Sequence, residues 1–155
     1  MRATRSTLLL VCAALFSIGA AVIHAIVTPE HFEEWWGYGA FFLVATIAQA
    51  VFGLLLIVQL WRVRMMSNET RSSSDRFTRL ICMVGIVGNL AIIALWIVTR
   101  TSGIPVFGPH VGEVEEVTGI DLASKVIEAA LIVCLMVWLR DWRATPLKNG
   151  LAHDR

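Results

Sequence analysis

Four long apolar runs decide what this chain can fold into. They cover roughly residues 7–27, 38–61, 79–99 and 120–139, and each supplies about 20 helical residues, enough to cross a hydrocarbon core of about 30 Å. Stretches such as LLLIV and AALIVCLMVW are continuously apolar, whereas the strands of a transmembrane β-barrel alternate. A helix closes its own backbone hydrogen bonds inside lipid, so helices are the simpler solution. The expected fold is all-α: an up-down bundle of four transmembrane helices, with residues 1–155 forming a single integral membrane domain. At 57% hydrophobic against 16% charged residues, the chain departs from soluble-domain composition, and four crossings leave little length for a separate soluble domain.

The net charge of +1 hides a segregation along the chain. Arg2 and Arg5 precede the first run; Arg62, Arg64, Arg71, Arg76 and Arg79 surround the second connection; Arg140, Arg143, Lys148 and Arg155 follow the fourth run. The other connections, residues 28–37 and 100–119, carry Glu30, Glu33, Glu34, Glu113, Glu115 and Glu116, with Arg100 their only Lys or Arg. The positive-inside rule therefore puts both termini in the cytoplasm and the acidic loops outside the cell membrane. Trp35, Trp36, Tyr38 and Trp96 would mark the outer interface and Trp61, Trp138 and Trp142 the inner one, in the manner of aromatic belts. The basic residues are spread among Ser, Asn and Thr, which fits topology control and gives no reason to expect a nucleic acid partner. The expected surroundings are the lipid bilayer and, for so small a chain, a second copy of itself or another membrane protein.

Arg2 and Arg5 ahead of an apolar run ending in Ile23-His24-Ala25 resemble a secretory signal, but Ile23 fits the small-residue cleavage rule poorly and an uncleaved first helix is expected. Cys12, Cys82 and Cys134 all lie in apolar runs without a CxxC spacing, and they read as packing residues rather than a disulfide or redox pair. Gly53, Gly85 and Gly88 read likewise as places where membrane helices approach closely.

Polar residues inside these runs are costly in lipid and face protein or water. Gln49, Asn89 and Glu128 fall, at about 1.5 Å rise per residue, at similar depths near the bilayer centre. Gly85, Asn89, Trp96 and Arg100 share one helical stripe, and Asp121, Lys125 and Glu128 share another. Gln49, Asn89, Arg100, Asp121, Lys125 and Glu128 are thus expected to converge on a polar cavity entered from the outer side. Glu128 would be hard to keep charged alone, and Lys125, with Asp121 approaching it from the preceding turn, is its expected partner. The trio reads either as a structural charge network or as a site that binds or passes protons or a cation.

Thr28-Pro29 has the chemistry of a helix start, with a capping hydroxyl followed by a residue that needs no donor. That start would carry His31 and Glu34 into the second helix and align them with Tyr38, Ala45 and Gln49. His31 and Glu34, with help from His24, His110 or Glu128, form a candidate transition-metal site, since imidazole and carboxylate suit zinc, copper or iron. Haem is not expected: His24 is the only histidine within an apolar run, and no facing pair is available as axial ligands. The segment 101–119, with Ser102-Gly103-Ile104-Pro105 and Phe107-Gly108-Pro109-His110 as turn-like punctuation, reads as a solvated acidic loop or as a cap anchored by Val106, Phe107, Val111, Val114 and Val117.

HFEEWW is not HExxH, no serine-nucleophile signature is present, and Gly85-Ile-Val-Gly88 is not a phosphate loop. The residues therefore fix no enzymatic reaction. The favoured reading is a small integral membrane accessory protein with an outward-facing polar cavity. The alternative is a proton- or cation-handling transporter or a metal-linked membrane redox component.

Overall fold

A computed structural model describes residues 2–65, 71–103 and 108–143. Lys148, His153 and Arg155, and Val106 and Phe107 of the long connection, lie outside the described residues. Four helices follow in order: α1 Arg2–Glu34, α2 Trp36–Met65, α3 Arg71–Thr101 and α4 Gly119–Arg143. All four are long and apolar enough to span a bilayer. They pack as a ring in which α1 touches α2 and α4, and α3 touches α4 and α2. The protein is an all-α, multi-pass membrane bundle. Its outward faces carry aliphatic side chains such as Leu15, Val22, Leu54, Val58, Val87 and Val133, as a surface solvated by lipid requires.

The closest pairing, α1 on α2, follows from small residues. Ala13, Ala14, Ser17, Ala20 and Ala21 line the buried side of α1. Gly53 of α2 lies so close to Ile18 and to the Ala14 carbonyl that a Cβ would crowd both. Without a hydrophobic driving force between helices in lipid, close backbone approach of this kind supplies the packing energy. Gly85 is matched to the Phe52 ring in the same way, while Gly88 faces open space and takes no part in packing. Cys82 is buried in the core, Cys134 is half-buried and Cys12 is exposed, and all three are free thiols.

The α1–α2 connection differs from expectation. Thr28-Pro29 does not start the second helix; Pro29 lies inside α1, which continues to Glu34. The Thr28 hydroxyl donates to the His24 carbonyl at 2.7 Å, the back-bonding to i−4 that a threonine inside a helix adopts, one residue before the proline. Trp35 alone turns the chain: its N–H donates to the His31 carbonyl and its carbonyl accepts from Tyr38 and Gly39. Side chains at Gly37 and Gly39 would overlap the Trp35 and Phe32 rings, so this turn depends on glycine. His31 and Glu34 therefore belong to α1 and cannot share a continuous stripe with Gln49.

The turn at Trp35 and residues 102–103 and 108–118 lie at one end of the bundle, called here the acidic end; Arg5, Arg62 and Arg140 lie toward the other, the basic end. In the described part of the long connection, Gly103, Gly108 and Gly112 have positive φ, a conformation that glycine tolerates best. Gly108 abuts the Tyr38 hydroxyl and Gly103 the backbone at Gly112 and Glu113. Glu115 N–H donates to the Thr99 carbonyl at 3.2 Å. The segment thus folds back over the bundle, held by glycine contacts and Glu115. The valines expected as anchors, Val111, Val114 and Val117, are exposed.

Toward the basic end, Leu10, Ala13, Ala14, Phe52, Leu56, Ile81, Cys82, Leu131, Leu135 and Trp138 form one continuous apolar core. Trp138 is therefore a core residue rather than an interfacial anchor, whereas Trp61 and Trp36 stand exposed. Arg5 pairs with Asp141 at 3.4 Å, and Arg79 lies over the Trp142 ring at 5.2 Å from its centroid.

Candidate functional site

Toward the acidic end the polar residues within the spans form two clusters, one above the other; nearer the basic end Gln59 Nε2 donates to the Thr78 hydroxyl at 3.1 Å as a separate buried pair. The deeper cluster centres on Glu128, which is 0% exposed. Its Oε2 accepts from Lys125 Nζ at 2.6 Å, three residues back on α4. Its Oε1 accepts from the Ser124 hydroxyl at 3.2 Å and from Gln49 Nε2 at 3.3 Å, and lies 3.2 Å from His24 Nε2. Gln49 Nε2 also reaches Asn89 Oδ1 at 3.2 Å, and Asn89 Nδ2 donates to the Gly85 carbonyl at 2.8 Å. Each of the four helices contributes a buried side chain to this cluster: His24, Gln49, Asn89 and Glu128.

Helical spacing accounts for these positions. Ser124, Lys125 and Glu128 fall within four residues on α4, so their side chains meet on one face. Ser17 lies two turns below His24 on α1, and its hydroxyl donates to the Gln49 backbone carbonyl at 2.6 Å, fixing the level of α2 against α1. A buried carboxylate is expensive to desolvate, and several hydrogen bonds together with a counter-charge offset that cost. With Glu128 ionised and Lys125 protonated, the cluster is neutral when His24 is neutral.

The shallower cluster lies at the acidic end. Arg100, 11% exposed, donates to Asp121 at 2.8 Å and also pairs with Glu115 of the long connection. Asp121 and Thr118 cap α4 reciprocally: Thr118 N–H reaches Asp121 Oδ2 at 3.1 Å, and Asp121 N–H reaches the Thr118 hydroxyl at 3.3 Å. This capping box holds the first turn of α4. Asp121 is thereby committed to Arg100, and not to Lys125 as its i,i+4 spacing suggested.

Between the two clusters is a cavity of about 430 Å³. His24, Ser124 and Lys125 line it and screen Glu128, which is not part of the lining. Trp35, Trp36, Tyr38, Phe41, Phe42 and Trp96 give its walls an aromatic part, Ile23, Val27, Ile92, Leu95 and Ile120 an aliphatic one, and Arg100, Glu115 and Asp121 also border it. His31 lies in the same wall, with its Nδ1 2.9 Å from the Val27 carbonyl and its ring 3.9 Å from that of Phe42, centre to centre. Three polar atoms in this lining are buried without a hydrogen-bond partner: His24 Nδ1, Trp96 Nε1 and Arg100 Nε.

The structure thus brings Gln49, Asn89, Lys125 and Glu128 together and sets Arg100 and Asp121 apart as a second layer. The candidate metal ligands do not gather. His24 faces Glu128, His31 packs on Phe42, Glu34 is exposed at the end of α1, and His110 pairs with Glu113 at 2.9 Å. Among the described residues there is no group of three or more His, Cys, Asp or Glu side chains arranged to hold one metal ion. The reason is level: with Pro29 inside α1, His31 and Glu34 lie about two and three turns beyond His24, the α1 residue that meets the carboxylate on α4.

Sequence reasoning missed Ser124, Ser17, the role of Glu115, and His24 as a partner of Glu128. Ser124 had a readable signal, since it lies four residues before Glu128. The partnership of His24, 104 positions from Glu128 along the chain, is set by the α1–α4 contact and had none. No family model matches the chain, and no curated protein or solved structure matches it.

Proposed function

We propose that this chain is a small integral membrane accessory protein that receives a small ligand in a cavity entered from the acidic end, and that this end faces away from the cytoplasm, with both termini inside. The observation that carries the reading is the asymmetry of the bundle. The buried ionisable cluster adjoins the cavity, whereas the half beneath it holds an apolar core with the neutral pair Gln59 and Thr78 and, among the described residues, no buried carboxylate or imidazole. Such an arrangement suits reception from one side better than passage through. The segregation of Arg from Glu supports the orientation. Association with a second copy or with another membrane protein belongs to the same reading.

Side-specific labelling tests it, in a background with Cys12 and Cys134 replaced by Ser. A membrane-impermeant thiol reagent added to intact cells is expected to modify Trp36→Cys and Ser124→Cys but not Trp61→Cys. Modification of Trp61→Cys alone would reverse the orientation, and an inert Ser124→Cys beside a reactive Trp36→Cys would remove the open cavity. A reproducible complex in mild detergent is expected for the accessory role; a monomer that carries out specific transport by itself would overturn it.

One observation favours a second reading. Glu128 lies within hydrogen-bond distance of both His24 and Lys125 beside the cavity, as a proton- or cation-handling site requires. Protein-dependent flux in liposomes that disappears with Glu128→Gln would favour this reading, and an absence of flux across a broad ion panel would remove it.

A further inference from the structure

The place of the cavity between the helices bears on what can occupy it. Deeper in the bundle, α2 and α3 meet where the Phe52 ring seats on Gly85. Phe41 lies eleven residues from Phe52, three helical turns, and continues the same stripe of α2 toward the acidic end; Ile92 lies seven residues from Gly85, two turns, and continues the matching stripe of α3. At that level the two stripes do not close on each other. Phe41, Ile92 and Leu95 all line the cavity, yet Phe41 is 38% exposed and Ile92 and Leu95 are only half-buried. The cavity therefore borders the seam between α2 and α3 and reaches the lipid-facing surface there. By helical rise, Phe41 stands about 12 Å above Gln49 and Ile92 about 5 Å above Asn89, which places this opening within one half of a hydrocarbon core of about 30 Å.

What the lining turns to that opening is mainly hydrocarbon, from five aliphatic side chains as well as the aromatic rings. Its ionic and hydroxyl groups are spent within the protein: Lys125 on Glu128, Arg100 on Glu115 and Asp121, Ser124 on Glu128, and Thr99 on the Trp96 carbonyl. His24 Nδ1, Trp96 Nε1 and Arg100 Nε are buried atoms that do not face the void. A charged or sugar-like ligand would have to break those pairs, and water fills such a space only where it finds two or more free polar partners. An empty space between helices forfeits dispersion contacts, on which packing in lipid depends. A lipid-soluble chain restores those contacts and disturbs no pair.

We propose that this cavity holds one hydrocarbon chain, which enters sideways between α2 and α3, past Phe41 and Ile92, from the half of the bilayer nearer the acidic end. The inference rests on the reading of the cavity as a receiving site and names the class of its ligand. About 430 Å³ lies in the lower part of the range of ligand pockets, room for a length of one chain and not for a whole two-chain lipid. A bilayer lipid and a free fatty acid present the same chain, and the head group separates the two sources.

Photolabelling of the full chain in lipid nanodiscs tests the proposal, with a phosphatidylcholine probe and a fatty-acid probe that each carry a diazirine at mid-chain, and with adducts mapped by mass spectrometry. Adducts are expected on Phe42 and Trp96 of the lining as well as on the lipid-facing Val44 and Val87, and not on the buried Leu56 and Leu131. Ile92→Trp fills part of the opening and is expected to lower the Phe42 and Trp96 adducts by about tenfold while leaving Val87 unchanged. The parent protein decides the matter alone if that variant does not fold. Stronger labelling by the phosphatidylcholine probe would assign the chain to the bilayer, and stronger labelling by the fatty-acid probe would assign it to a free acid; both agree with the proposal. Adducts confined to Val44 and Val87, or as frequent on Leu56 and Leu131 as on Phe42 and Trp96, would overturn it. Where adducts are so confined, a Ser124→Cys labelled from the acidic end keeps the receiving cavity and removes only the chain, whereas an inert Ser124→Cys removes both.

Discussion

The two halves of the bundle are built from the same four helices and solve opposite problems. Toward the basic end, Leu56, Leu131 and Leu135 are fully buried among apolar neighbours, and dispersion with close packing, joined by the neutral hydrogen bond from Gln59 to Thr78, holds the helices together. Toward the acidic end, the same helices enclose Glu128, His24, Gln49 and Asn89, and a cavity interrupts the packing. A membrane bundle gains nothing in stability from a desolvated carboxylate that leucine would not supply more cheaply. The half that carries this cost is therefore the half where function is to be sought.

Mutations in the two halves should separate stability from site chemistry. The largest effect is expected at Glu128. Glu128→Ala leaves Lys125 and His24 without their acceptor and should cost about 3–5 kcal/mol in reversible unfolding in mixed micelles. The double variant Lys125→Met/Glu128→Leu should recover most of that loss, because a buried ion pair is often replaceable by apolar groups. A loss well below 1 kcal/mol in Glu128→Ala would mean that the carboxylate is not a buried charge with committed partners.

In the apolar half, Leu131→Ala should cost about 2–5 kcal/mol through the cavity it leaves. Labelling of Ser124→Cys should stay as in the parent, whereas Glu128→Ala should alter it. If Leu131→Ala changed that reactivity as strongly as Glu128→Ala does, the halves would not be separable. Gly85→Ala presses a methyl group into the Phe52 ring and is expected to cost about 1–3 kcal/mol by overpacking, measured by the same unfolding assay.

The smallest effect is expected at the mouth. Glu115 is 40% exposed, so Glu115→Gln should change unfolding stability by about 1 kcal/mol or less. It should still loosen the 108–118 segment and speed its proteolysis. Unchanged proteolysis would mean that backbone and glycine contacts alone hold the segment over the cavity.

The spans were legible because lipid imposes a coarse rule, namely length and continuous apolarity, that any helix must obey. The shared depth of Gln49, Asn89 and Glu128 was readable from helical rise. Where the second helix begins was not: Thr28-Pro29 has the local chemistry of a start, and only the glycines packed against Trp35 and Phe32 favour a turn at Trp35 instead. The partner of Asp121 was misassigned for a related reason. Spacing along α4 names Lys125, while the α3–α4 contact brings Arg100 to the same carboxylate. Intrahelical spacing ranks neighbours on one helix and is silent on those that packing supplies from another.

The contrast between the halves is tested most directly by a cysteine ladder down α4. Ser124→Cys and Leu131→Cys, each in the purified protein lacking Cys12 and Cys134, are compared for their rate of reaction with a small water-soluble thiol reagent. Ser124 lines the cavity though only 2% exposed, so a slow but measurable reaction at Ser124 and full protection at Leu131 is the predicted outcome. Comparable rates at the two positions would mean that water reaches through the apolar half, and the division of the bundle into an open site and a sealed core would be wrong.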